Sequence, residues 1–157
     1  MSNQMNTELE FHNREMRLVK LLPRGVAYDL VLLKGHLLIE ELLTEILISS
    51  LNKSNPINIK IGNATNFNQK LNLCWALNKN DINETIWESL KELNSIRNSM
   101  AHEVEPKGID EKINKFSTKV LNNSKFKPSY YKGDELKFSL SWLYLVLSSH
   151  IHAQKNS

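Results

Sequence analysis

The chain is poor in the residues that interrupt helices and in those that cross-link a fold. Five Gly and four Pro in 157 residues leave long stretches uninterrupted, which argues against a β-sandwich with its frequent tight turns. The single cysteine, Cys74, cannot close an internal disulfide. Nothing from Met1 to Glu10 resembles the apolar core of a secretion signal, so a reducing cytoplasm is the expected location. Long apolar runs are also missing. One candidate is broken by Glu40, Glu41 and Glu45 and the other by Lys137, Ser139 and Ser141, and neither reaches the roughly 18 to 20 residues needed to cross a bilayer. No membrane partner is expected. There is no Gly-rich phosphate loop, Cys-x-x-Cys pair, zinc-protease motif or serine nucleophile elbow, so no cofactor and no metal are expected.

What is present is a hydrophobic fraction of 41%, enough for one core and not for two, so residues 1–157 are expected to form one domain. The net charge of +3, from 20 Lys plus Arg against 17 Asp plus Glu, permits a polyanionic partner without requiring one.

Apolar spacing predicts an all-α chain. A first helix covers Glu8 to Leu22 and is ended or bent by Pro23. A long second helix covers Arg24 to Leu51, with Val26, Leu30, Leu33, Leu37, Leu43 and Leu47 on its main stripe. Val31, Leu32, Leu38, Ile39, Leu42 and Ile46 add apolar surface around the cylinder, so this helix should sit centrally. Asn52 to Asn66 reads as an exposed connection. A third helix covers Phe67 to Lys79, with Cys74 as core filler. A fourth runs from near Asn83 to His102. Asp110 is expected to cap a fifth through Leu121, Asn122 to Gly133 is a polar loop, and Asp134 is expected to cap a last helix reaching about His152.

The fourth helix carries the chemistry. At about 100° per residue, Trp87, Leu90, Leu93, Arg97 and Met100 fall on one stripe, which places Arg97 at a core position. A guanidinium cannot shed its charge, so burial demands an anion. One reading supplies it from Glu40 or Glu41 as a structural ion pair; the other puts Arg97 in a cleft or dimer seam where a substrate phosphate answers it. His102 lies roughly 140° around the helix from Arg97, whereas Asn98 and His102 share a face, so Asn98 could orient the imidazole. The plain alternative for His102 is a favourable cation at a helix C-terminus.

The segment Arg97-Asn98-Ser99-Met100-Ala101-His102 resembles the R-x4-6-H motif of the HEPN superfamily (higher eukaryotes and prokaryotes nucleotide-binding domains). Leu38-Ile39-Glu40-Glu41-Leu42-Leu43, Phe67-Asn68-Gln69-Lys70-Leu71 and Leu90-Lys91-Glu92-Leu93-Asn94-Ser95-Ile96 are similar to segments of bacterial HEPN proteins, and the likeness covers about residues 24–104. It implies a helical bundle that forms a two-fold homodimer with both motifs in one cleft. The implied activity is metal-independent RNA cleavage, in which a ribose 2′-hydroxyl attacks the adjacent phosphorus and leaves a 2′,3′-cyclic phosphate and a 5′-hydroxyl. Arg97 and His102 are the implied catalytic residues, with Asn98, Glu40 and Lys70 supporting the site or binding substrate. The role implied is a toxin or phage-defence effector, held by an antitoxin or released by an activator. Some HEPN toxins carry a Tyr two residues after the His as a target of adenylylation. Val104 stands there in this chain, which argues against that control.

Two rival readings stand beside this one: a non-catalytic regulator similar to the mannitol-repressor family, with Arg97 paired to Glu40 or Glu41 in a dry interior, and a small-molecule or nucleotide-binding dimer. Lys107, Lys112, Lys115, Lys119, Lys125, Lys127, Lys132 and Lys137 form either a solvated face or a guide for a phosphate backbone. His150 and His152 read as structural, and His12 and His36 have no recognisable partners in the sequence.

Overall fold

A computed structural model describes residues 2–22 and 24–157, with side chains from Gln4 onward; Met1 and the expected break at Pro23 lie outside the described residues. Seven helices and no strand are found among them: α1 Ser2–Leu21, α2 Tyr28–Lys53, α3 Phe67–Leu77, α4 Glu84–His102, α5 Ile109–Asn122, α6 Pro128–Tyr131 and α7 Glu135–Lys155. No described helix is long and apolar enough to cross a membrane.

The longest helix, α2, is also the central one, in contact with α7, α3 and α4. The face it buries matches the main stripe at Leu43 and Leu47 but not at Leu30, Leu33 and Leu37. Val31, Leu32, Leu38, Ile39, Leu42, Leu43, Ile46 and Leu47 are buried, while Leu30, Leu33 and Leu37 stay 41%, 41% and 49% exposed. With leucines around most of the cylinder, periodicity leaves several equivalent faces, and the positions of α7 and α3 choose among them. Gly35 belongs to the chosen face. A Cβ built there would stand 2.6 Å from Leu140 Cδ1, so the missing side chain lets α7 approach closely.

Three helix starts show how local chemistry sets the frame. Asn66 and Gln69 form a reciprocal capping box at α3, each side chain accepting the other's backbone N–H at 3.0 Å. The Asn83 side chain accepts from Thr85 N at α4. The expectation for α5 is corrected: its N-cap is Gly108, at φ 65°, and Asp110 lies in the first turn beside Glu111. There the two carboxylates favour the positive helix end without capping it. Asp134 does occupy the N-cap of α7, but its side chain makes no capping bond and meets Arg24 at 3.5 Å instead.

Three further elements differ from or match expectation. The helix α1 begins six residues before Glu8, at Ser2, and within that added stretch Thr7 is held by Asn156 at 2.8 Å. The polar loop after α5 contains the single turn α6. The expected connection from Asn52 is shortened by two residues, because α2 runs through Lys53; Ser54 to Asn66 is without strand, and Ile57 and Ile59 are exposed. The core closes around Trp87, Phe116 and Tyr144, and Trp75 stacks on Trp87 at 6.4 Å where α3 meets α4.

Candidate functional site

The buried stripe of α4 runs through Ile86, Trp87, Leu90, Leu93 and Ile96. Ile96 takes the core position that helical spacing assigned to Arg97, and Arg97 stands half-buried at the stripe's edge. A cavity of about 390 Å³ opens there between α2, α4 and the start of α3. Its walls include His36, Glu40, Phe67, Asn94, Arg97 and Asn98, with Asn63 and Thr65 on the loop side.

The expected ion pair between Arg97 and Glu40 or Glu41 does not form. Glu40 accepts from Lys70 Nζ at 2.8 Å, a contact in which the lysine side chain is 9% exposed. Glu41 is held by Arg17 of α1. Both carboxylates point to cations that no helix-wheel argument linked to them. Among the described residues Arg97 forms no salt bridge, and its one side-chain hydrogen bond is a long 3.4 Å approach of Nη1 to Asn98 Oδ1. A guanidinium in this state retains most of its donors for an incoming anion.

His36 joins the site although the sequence reading left it without partners. It is 3% exposed and stacks on Phe67, with ring centroids 4.1 Å apart and planes at 24°. The amide oxygen of Asn94 accepts from Nε2 at 3.0 Å, which places the ring proton on Nε2 and leaves Nδ1 a buried acceptor with no partner. Burial lowers its pKa; the nearby Arg97 charge adds to that, and the Asn94 bond and Glu40 act against it. The neutral imidazole is thereby favoured beside the cation. The signal was present in the spacing: His36 and Glu40 are one turn apart on α2, as are Asn94 and Asn98 on α4.

His102 is elsewhere. It is the last residue of α4, exposed, and not part of the cavity wall. No hydrogen bond links it to Asn98, whose amide oxygen is turned to Arg97. The chain therefore brings together Arg97, Asn98 and Glu40, with Lys70 paired to Glu40, and leaves His102 exposed at the end of α4.

The remaining candidates resolve into structural roles. His150 and Gln154 Nε2 both meet Asn78 Oδ1 at 3.0 Å, and His152 lies against Phe11 at 5.2 Å. Among the described residues no group of three or more His, Cys, Asp and Glu is arranged to hold a metal. Lys115 pairs with Glu111 at 2.8 Å and Lys119 with Glu92 at 3.4 Å, so part of the lysine run is already answered by acids. Cys74 is fully buried, with its thiol donating to Leu43 O at 3.2 Å.

Comparison with protein-family models, with curated proteins and with solved structures finds no match to this chain.

Proposed function

We propose that this chain is a HEPN-type endoribonuclease acting as a two-fold homodimer in the cytoplasm, without metal or cofactor, and that it serves as a toxin or phage-defence effector under an antitoxin or activator. The observation that carries the reading is Arg97: a half-buried cation on the wall of an open cavity, with the two carboxylates that might have neutralised it committed to Lys70 and Arg17. Such a cation suits a phosphate, and in a partly desolvated site it stabilises the charge that grows on phosphorane oxygens.

His102 supplies the proton chemistry, for which an imidazole is suited near neutral pH. As the 2′-hydroxyl oxygen bonds to phosphorus, the bond to the 5′-oxygen breaks, one proton leaves the 2′-oxygen and one reaches the departing 5′-oxygen. The exposure of His102 supports its use across the dimer, with the imidazole of one subunit approaching the phosphate held by Arg97 of the other. Asn98 binds or orients the substrate, and Glu40 with Lys70 supports the cavity wall.

One observation favours a second reading. His102 does not line the cavity, and a pocket of Asn side chains with one free guanidinium also fits a nucleotide bound without being cut. The regulator with Arg97 sealed against Glu40 or Glu41 lacks that support, because neither pair forms.

The test compares the parent with Arg97→Ala and His102→Ala, each shown folded by circular dichroism, in RNA cleavage and in growth arrest on expression. The expected outcome is a loss of about 10²-fold or more in each variant, with 2′,3′-cyclic phosphate ends in the parent only. Cleavage at the parental rate by either variant overturns the assignment, and nucleotide binding that needs Arg97 but no cleavage selects the second reading.

A further inference from the structure

The helix α1 has two apolar faces. One, carrying Leu18 and continued by Leu22 just past the helix end, is buried against the bundle together with Thr7. The other faces solvent, where Met5, Leu9, Met16 and Val19 are 75%, 56%, 56% and 65% exposed. With His12, also exposed, these positions follow one another at steps of four, three, four and three residues. That is the heptad alternation of a coiled-coil seam, with Leu9 and Met16 at a and Met5, His12 and Val19 at d.

The flanks of the seam carry opposite character. On one side stand Glu8 and Glu15, at g, and on the other Asn6, Asn13 and Lys20, at e. Glu15 and Lys20 form no salt bridge among the described residues, unlike Glu10 and Arg14, which are tied to Lys155 and Glu45. In two parallel helices a g residue meets the e residue five positions on in the partner, so Glu15 of each copy faces Lys20 of the other. In an antiparallel pair the two g edges meet, and acid faces acid.

We infer that the outward face of α1 binds the same face of a second copy of this chain, as a parallel two-stranded seam. The stretch is short for a free coiled coil, whose helices must be nucleated as they pair. Here α1 is already held helical by its other face, through the Thr7 contact to Asn156 and the Arg14 contact to Glu45 at 2.7 Å, so that cost falls away. An anionic lipid surface is a poorer occupant, because Glu8 and Glu15 border the apolar stripe. This contact lies on a different helix from the α2–α4 cavity and does not depend on the function proposed above. If both contacts form, the assembly is larger than a dimer.

The experiment measures the solution mass of the full chain by sedimentation, with Leu9→Glu/Met16→Glu as the disrupting variant; both positions are exposed, so the protomer fold is spared. The wild type is expected to have at least twice the mass of the variant, with equal circular dichroism. Glu15→Lys should weaken association and Glu15→Lys/Lys20→Glu should restore it. Val19→Cys should cross-link to its own counterpart under oxidation, because only the parallel register places position 19 beside itself. Equal masses for wild type and Leu9→Glu/Met16→Glu overturn the inference, including the case where wild type binds vesicles or another protein as a monomer. A Val19→Cys protein that associates without cross-linking overturns the parallel register. RNA cleavage by Leu9→Glu/Met16→Glu is scored separately, so failure of this contact is distinguishable from failure of the nuclease reading.

Discussion

At the scale of single residues, the site is organised by which charges have partners. Lys70, in a nearly closed position, takes Glu40, and Arg17, on the surface, takes Glu41. Arg97 is left with an amide oxygen at 3.4 Å. His36 must then stay neutral, since a second cation there would be buried close to the first. This has a measurable consequence for stability. The folded chain favours neutral His36, whereas the unfolded chain takes up a proton near 6.5. Stability is therefore full above that pH and declines as pH falls through 6.5 toward the lower folded value. His150, also lowered chiefly by burial, adds a second contribution of the same sign. Urea midpoints measured from about pH 7.5 to pH 5 should fall for the parent and fall less for His36→Gln. An unchanged slope in that variant would show that His36 is as easily protonated folded as unfolded.

At the scale of elements, the decisive contact is the one between α2 and α7 at Gly35. Glycine inside a helix costs about 1 kcal/mol relative to alanine, and the cost is offset by the approach of Leu140, whose side chain is fully buried. Gly35→Val places three carbons in space that Leu140 already fills. Overpacking of this kind destabilises by about 1–3 kcal/mol, to be read as a lower urea midpoint with unchanged helix content in water. Parental stability in Gly35→Val would mean that α7 shifts at no cost and that the close approach does not set the helix spacing. The consequence reaches the site, because His36 follows Gly35 and is held in register by the same face of α2. The start of α3 matters in the same way: the Asn66–Gln69 capping box fixes the first turn, and with it Phe67 over the His36 ring.

At the scale of the whole molecule, α2 is the element on which the other helices assemble, and Cys74 reports on that assembly. Its side chain is sealed between α3 and α2, and burial pushes the thiol up to about 12. At pH 8 only about 10⁻⁴ of such a thiol is ionised, and no reagent reaches it without separation of the two helices. Thiol labelling of the native chain should therefore be slow and should rise with urea along the same transition as circular dichroism. Fast labelling in native buffer would indicate that α3 opens independently of the bundle.

Much of this architecture was legible from spacing. The all-α class, the long second helix, the third and fourth helices to within a few residues and the burial of Cys74 follow from apolar periodicity and from the scarcity of Gly and Pro, because these are properties of a helix taken one at a time. Pairings between helices are different in kind. That Glu40 meets Lys70, that Ile96 displaces Arg97 from the core and that His36 lies under Phe67 depend on how α2, α3 and α4 are rotated about their axes. A helix with leucines on most sides carries no instruction for that rotation. The amino-acid order thus determined which segments are helices and where a cation and an imidazole sit along the fourth. Packing against α7 and α3 determined which side of α2 faces inward, and so that Glu40 and Glu41 meet Lys70 and Arg17 and not Arg97.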